Sequence, residues 1–407
     1  MTNSEKITKG RDRLRIKLRG KKYDVESFDL MKIPIEWLYQ DIIFPLFGTS
    51  SDILIFIALI ASMSLACSGG RDAVYFISQP YTLVDNIQSE PKSPDRSVAG
   101  GENYNAMDAV VKDGLCVLYT PTDFPTYFSI LDLASGEHKG EFGVKGNGPL
   151  EAPYFSILHE LYSDGGNIKA LVEDTMKDRC LVCNVTKTIE QQTPIYDTIL
   201  PYNWRAFGRV PSFSAAINDD ETFVVFNSIP DHELRRVVTP KVGVVSRTKQ
   251  ALISEFPIFC DSVVDVAHIG KWDISMPFSL KCAMSPNRNN VAIGMVYLPQ
   301  INLLNIATGD LKCIRIKGAD KVDLNCENYY YASVQCDDDF VYALCMNTTN
   351  VPVEELDKHS GELHIFDWNG NLVKRWKFGK FYNKILIDCG KLYAFKFYSG
   401  TIDEYTL

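Results

Sequence analysis

Short polar turns recur about every fifty residues, a second turn series interleaves with the first, and four short strands fit between successive turns of the first series. Together these predict an all-β fold, a six-bladed β-propeller over residues 72–407, preceded by an N-terminal signal or anchor segment. The 407 residues are 46% hydrophobic and 23% charged, which suffices for such a core and excludes a disordered, collagenous or polytopic membrane protein.

Residues 1–52 form a basic head and linker. Nine Lys or Arg stand against Glu5 and Asp12 in residues 1–22, a net +7, and the chain total of −9 leaves −16 for residues 23–407. An acidic body lacks the basic face that non-specific nucleic-acid binding requires, so no nucleic-acid partner is expected. Residues 53–67 are the signal segment. Ile53 to Ala66 is uncharged and apolar, short for a spanning helix and long enough for a signal-peptide core. Ser64-Leu65-Ala66-Cys67 resembles a bacterial lipoprotein processing box, with Cys67 as the lipidation site and 68–71 as a flexible tether. Ser64 departs from the usual aliphatic residue, and the basic head lies far upstream of the apolar run. A start placed too early, with Met31 as an alternative, accounts for the second departure. An uncleaved signal anchor with the head held inside is the competing reading. Either way the body is exported, and an outer-membrane lipoprotein of the cell envelope is expected.

The first turn series runs through Lys112-Asp113-Gly114, Ser163-Asp164-Gly165, Asn218-Asp219-Asp220, Pro286-Asn287-Arg288, Asp337-Asp338-Asp339 and Asp388-Cys389-Gly390, at steps of 51, 55, 68, 51 and 50 residues. In the second series, Ile130 to Glu137 matches Leu303 to Asp310, with Ile365 to Asn371 a third relative and weaker copies at Asn184 to Lys187 and Ser246 to Lys249. Gly or Asn there would supply the positive φ of a tight hairpin. The fourth repeat shows the four strands best, at Leu280 to Met284, Val291 to Val296, Ile301 to Ile306 and Leu311 to Ile316. The sixth repeat has only three before the chain ends at Leu407. An unpaired edge exposes backbone donors and acceptors, so an N-terminal strand within Asp72 to Ile87 is expected to close the last blade. Pro80 would stand at its edge or start.

Phe142-Gly143-Val144-Lys145-Gly146-Asn147-Gly148-Pro149-Leu150-Glu151 resembles the FGxKGxGPxE segment of TolB-like six-bladed β-propeller lipoproteins, common among Bacteroides-type bacteria. The resemblance spans roughly residues 72–407. It implies a cell-envelope propeller and transfers no catalytic residue.

The same segment is Gly-rich and carries Lys145, yet it lacks the Gly-Lys-Ser/Thr ending of a phosphate loop and should lead into a strand. An inter-blade crossing is the reading preferred. Ten cysteines beyond Cys67 are scattered through apolar runs and read as buried hydrophobes. Cys180 and Cys183 have the spacing of half a zinc site, but residues three apart in a strand point to opposite faces. The six His show no metal spacing, and Gly-x-Ser-x-Gly is absent. No metal or cofactor is expected.

The longest excursions from the repeat carry the candidate binding residues, because loops on a rigid scaffold are where binding resides. Trp204, Arg205 and Arg209 lie in Pro201 to Arg209, and His268 and Trp272 lie in His268 to Asp273. Asp231 to Arg236 widens the third repeat, and Asn347 to Asn350 with Glu354 and Glu355 reads as a solvated loop in the fifth. Aromatic and guanidinium groups suit an anionic or carbohydrate ligand, whereas Trp204 and Trp272 would otherwise fill gaps between blades. The innermost strands read as apolar and small, through Ala109-Val110-Val111, Ser214-Ala215-Ala216 and Lys281-Cys282-Ala283, with no ring of catalytic His, Asp or Glu. The expected function is therefore a lipid-anchored, non-catalytic binding or scaffold module for a protein or glycan. A lyase or hydrolase with its site at the channel mouth is the alternative.

Overall fold

The computed structural model describes residues 15–18, 21–24, 81–98, 106–121, 125–155, 157–174, 176–201, 207–209, 211–218, 220–259, 262–265, 275–319, 328–349, 355 and 358–407. The chain divides into residues 1–71 and 72–407. The first unit contributes one antiparallel hairpin, Arg15–Leu18 with Lys21–Asp24.

The second unit is nearly all β. Its main strands follow one another as six antiparallel meanders, the third interrupted by an accessory sheet and the last three joined by N-terminal strands. The first sheet is Asp108–Lys112, Leu115–Tyr119, Thr126–Asp132 and His138–Val144; the second is Ile157–Asp164, Asn167–Asp174, Arg179–Asn184 and Tyr196–Pro201. The third is Pro211–Ala216, Glu221–Phe226, Val242–Ser246 and Ala251–Phe256. The fourth, Leu280–Met284, Asn290–Met295, Ile301–Asn305 and Leu311–Ile316, follows the strands expected of that repeat to within a residue at most ends. The fifth is Asn328–Cys336, Phe340–Thr349, Glu362–Asp367 and Leu372–Phe378, and the sixth begins with Lys384–Asp388, Lys391–Lys396 and Thr401–Thr406.

The middle strands of each sheet are buried on both faces, and successive residues of one strand enter different cores. Cys116 and Leu118 pack with Leu386, Tyr393 and Phe395 of the sixth sheet, while Val117 and Tyr119 pack with Leu161, Ala170 and Leu181 of the second. Cys180 packs with Val224 and Phe226 of the third sheet, whereas Cys183 joins the cluster on the opposite face, so the CxxC pair is divided between two cores. The remaining clusters join the third sheet to the fourth, the fourth to the fifth and the fifth to the sixth. Turns reinforce these seams. The Asp388 carboxylate accepts the Asp113 and Gly114 amides at 3.0 and 2.7 Å, Asp113 accepts the Ser163 hydroxyl at 3.1 Å, and Asp338 accepts the Asn287 amide at 3.1 Å.

Three expectations need correction. The strand completing the sixth sheet is Arg96–Val98, antiparallel to Thr401–Thr406, and not one within Asp72 to Ile87. Tyr81–Val84, the more apolar segment, lies parallel to Leu311–Ile316 as a fifth strand of the fourth sheet, where Tyr81 stacks on the Arg315 guanidinium at 4.2 Å. Glu90–Lys92 then adds in parallel to Leu372–Phe378. Pro91 is tolerated because that edge needs no further donor. The chain thus covers two outer edges before reaching the third. Second, Asn184 to Lys187 is no tight hairpin. Asn184, at φ −86°, caps a helix at Val185–Gln191 by accepting the Lys187 amide at 3.0 Å. Third, Asn347 to Thr349 prolong a strand, with Thr348 and Thr349 opposite Tyr329 and Asn328.

The Gly-rich segment crosses from the first sheet to the second, as expected. Gly143 has φ +74°, and a Cβ there would stand 2.6 Å from the Phe128 ring. At Gly146 a Cβ would strike the Glu151 carboxylate, which accepts the Gly148 amide at 2.8 Å. Lys177 and Arg179 hold the crossing by donating to the carbonyls of Gly148, Pro149 and Glu151.

Candidate channel mouth

The first strand of every sheet contributes to an axial channel. Its wider end is a cavity of about 530 Å³, lined by Met107, Asp108, Ser212, Phe213, Leu280, Lys281, Ser333, Gln335, Asn383, Lys384 and Phe397 among others. A narrower cavity of about 260 Å³ shares Asp108, Ser212, Phe213, Gln335 and Lys384 with it and continues to Glu160, Met284, Arg288, Cys336 and Ile387. A side groove of about 340 Å³ between the third and fourth sheets meets the mouth at Ser212, Leu280 and Lys281.

Charged side chains on these strands correct the apolar reading of the channel. Lys384 pairs with Asp108 at the mouth, and deeper in, Arg288 Nη2 pairs with Glu160 Oε2 at 3.0 Å. Lys281 has no carboxylate within ion-pair distance among the described residues. Its side chain reaches solvent through the mouth, yet protein surrounds it on most sides, and the surroundings govern its charge. Burial first, then the neighbouring Lys384 charge, push its ammonium below the ordinary lysine range, with Asp108 acting in the opposite direction. Burial pushes the Cys282 thiol up to about 12 and Cys336 higher still, so neither is a ready thiolate.

Of the residues singled out in the sequence, Cys67, Trp204, Arg205, His268 and Trp272 lie outside the described residues. Arg209 lines neither channel cavity. It is half-buried and donates from Nη1 to the Thr239 carbonyl at 2.8 Å, tying the connector before Pro211–Ala216 to a small accessory sheet. That sheet, Ile229–Asp231, Arg236–Val238 and Val263–Asp265, accounts for the widening at Asp231 to Arg236 and exposes Ile229, Leu234 and Val263. Lys281 and Lys384 were legible only as the first or second residue of an inner strand. Nothing in a single strand's pattern says which residues meet an axis shared by six strands.

A carboxylate and thiol cluster also forms on the opposite rim, where ligand atoms of Asp113, Asp388 and Cys389 come within 4.8 Å of one another. Asp388 there already accepts two backbone amides, and Asp113 a hydroxyl.

No family profile matches the sequence, and no curated protein matches it. Solved structures do. A member of the DUF4221 family from Bacteroides vulgatus is similar at 11% identity and a TM-score of 0.50, over 81% of this chain and 97% of that one. A candidate exported protein from Bacteroides fragilis is similar at 11% identity and a TM-score of 0.42, over 83% and 96%. BamB from Moraxella catarrhalis is similar at 10% identity and a TM-score of 0.32, over 74% and 84%. At such identity the likeness to the DUF4221 member speaks to fold alone, and with sheets that follow one another along the chain the fold is that of the β-propeller proteins. Among the described residues no helix is long and apolar enough to cross a membrane.

Proposed function

We propose that the chain is an exported six-bladed β-propeller lipoprotein, akin to the TolB-like propellers, that binds a protein or glycan at the cell envelope as a non-catalytic module. The observation that carries the reading is cyclic. Core clusters join each sheet to the next and the sixth to the first, and one end of that cycle opens into a mouth and a side groove. A rigid ring with connectors at one rim suits recognition. Arg96–Val98 is the closing strand, and Trp204, Arg205, Arg209, His268 and Trp272 are candidate contacts in the connectors that lead into the third and fourth sheets.

Export and anchoring rest on the apolar run ending at Cys67, with the outer membrane as the destination. Labelled palmitate should enter the wild-type chain and be lost from Cys67→Ser; label retained by the variant would remove the lipidation site. A glycan and envelope-protein binding screen on the full chain tests the module, with Arg205→Ala and Trp272→Ala expected to abolish a hit. Undiminished binding by both variants would remove that rim. One feature favours the lyase or hydrolase alternative, namely Lys281 in the mouth lining, where burial and the Lys384 charge lower its proton affinity against the opposing pull of Asp108, as suits a base. Turnover of a bound glycan or peptide, lost in Lys281→Met, would replace the module reading.

A further inference from the structure

Lys281 and Lys384 reach the mouth from the fourth and sixth sheets, and the only mouth carboxylate among the described residues, Asp108, is engaged by Lys384. Among the described residues the mouth therefore holds one positive charge in excess, centred on Lys281. Lys281 is open to solvent at the mouth, while the first strands of the neighbouring sheets flank it within the cavity. Phe213, Leu280 and Phe397 supply apolar wall, while Ser212, Gln335 and Asn383 supply polar atoms. A pocket of about 530 Å³ matches the size that encloses a small organic ligand.

We infer that the channel mouth is a binding site for a small organic carboxylate, such as an acidic sugar unit, whose anionic group pairs with Lys281 while its body lies on Phe213 and Phe397. The proposal rests on the mouth being a binding site and adds the charge of what it takes. A monoanion neutralises the excess, whereas a dianion would carry its second charge toward Asp108. Fully hydrated inorganic anions gain nothing from the aromatic walls. Binding supplies the counter-charge that Lys281 lacks, so it raises that lysine's proton affinity. Affinity should accordingly fall as pH rises through the lowered pKa of free Lys281. The other titratable groups facing it are Asp108 and Lys384 across the mouth and Cys282 on its own strand, with Glu160 and Arg288 deeper and paired with each other.

The test is calorimetric titration of the full chain with glucuronate, benzoate, glucose and inorganic phosphate at two pH values. Glucuronate or benzoate should bind with millimolar or better affinity, and glucose should not compete. Lys281→Met should weaken the carboxylate at least about tenfold, as loss of a charge-assisted pair in a confined site does. Lys281→Arg should retain most of it, and thermal unfolding should show both variants folded. The assignment falls if neither carboxylate binds, if Lys281→Met binds as well as the parent, or if phosphate binds more tightly than either. A neutral sugar or envelope protein captured equally by parent and Lys281→Met would overturn the anion site and leave the module reading standing. Lys281-dependent carboxylate binding without any glycan or protein partner would do the reverse.

Discussion

Replacing Arg96 by Ala probes the junction between the sixth sheet and the first. Arg96 sits on the closing strand and donates to Glu404 Oε2 from Nε at 3.1 Å and from Nη2 at 2.7 Å. It also reaches across to the first sheet, donating to the Leu133 and Ala134 carbonyls at 2.8 and 2.9 Å. One side chain thus joins the closing strand, the sixth sheet and the first. The Arg96 side chain is 39% exposed, so the ion pair is screened and contributes about 0.5 to 1 kcal/mol. The two carbonyl bonds add about 1 kcal/mol each. Glu404 is only 7% exposed, but Lys391 at 2.9 Å still partners it, which avoids the larger cost of an orphaned charge. The loss is therefore about 2.5 kcal/mol. For a domain of about 330 residues, with an unfolding entropy of about 2.1 cal/mol/K per residue, the melting temperature should fall by about 4 °C. Differential scanning calorimetry at neutral pH measures this. Asp85→Ala serves as the control, since it removes a pair with Lys317 in which Asp85 is 84% exposed, and should shift the midpoint by less than about 1 °C. If Arg96→Ala behaved like Asp85→Ala, the argument that this strand seals the sixth sheet to the first would be refuted.

Other sites give further expectations. Gly143→Ala forces a side chain onto φ +74° and into the buried Phe128 ring, and should cost about 3 kcal/mol by urea unfolding; a loss below about 1 kcal/mol would contradict the close packing. Glu362 is held at about 2, against an ordinary 4.5, by His364 at 3.5 Å and by the Arg375 guanidinium. Its folded-state pKa is depressed, so its contribution is complete above pH 4.5 and disappears as pH falls toward 2. Glu362→Gln should flatten that acid limb by about 2 kcal/mol between pH 5 and 2.5, and an unchanged slope would count against the pairing. Asp388→Ala strips both acceptors from the Asp113 and Gly114 amides and should destabilise by about 1 to 2 kcal/mol, whereas Asp388→Asn, which keeps one acceptor, should lose less.

The architecture was legible because repetition records itself in the chain. Polar turns must return wherever a strand reverses, and strands buried on both faces must be apolar almost throughout, so Asp113-Gly114 and its counterparts mark the period without any tertiary knowledge. What failed were features decided between repeats. Tyr81–Val84 has the stronger strand pattern, but its apolar residues serve the edge of the fourth sheet, and Arg96–Val98 closes the sixth with a short polar strand held by Arg96 and by Ser97 against Asp403. The helix at Val185–Gln191 replaced a hairpin because Asn184 can cap a helix as readily as it can turn a chain. Lys281, Lys384 and Asp108 passed as strand residues, since only the convergence of six inner strands brings them to one mouth. The bond from Arg209 to the Thr239 carbonyl was likewise invisible in the sequence, since it joins two segments thirty residues apart.

An experimental density map of the full chain tests the central claim most directly. Six sheets around one axis are predicted, the fourth and fifth each widened by a parallel N-terminal strand, with Arg96–Val98 alongside Thr401–Thr406. Any other number of sheets, or a sixth sheet whose outer strand comes from elsewhere in the chain, would contradict it.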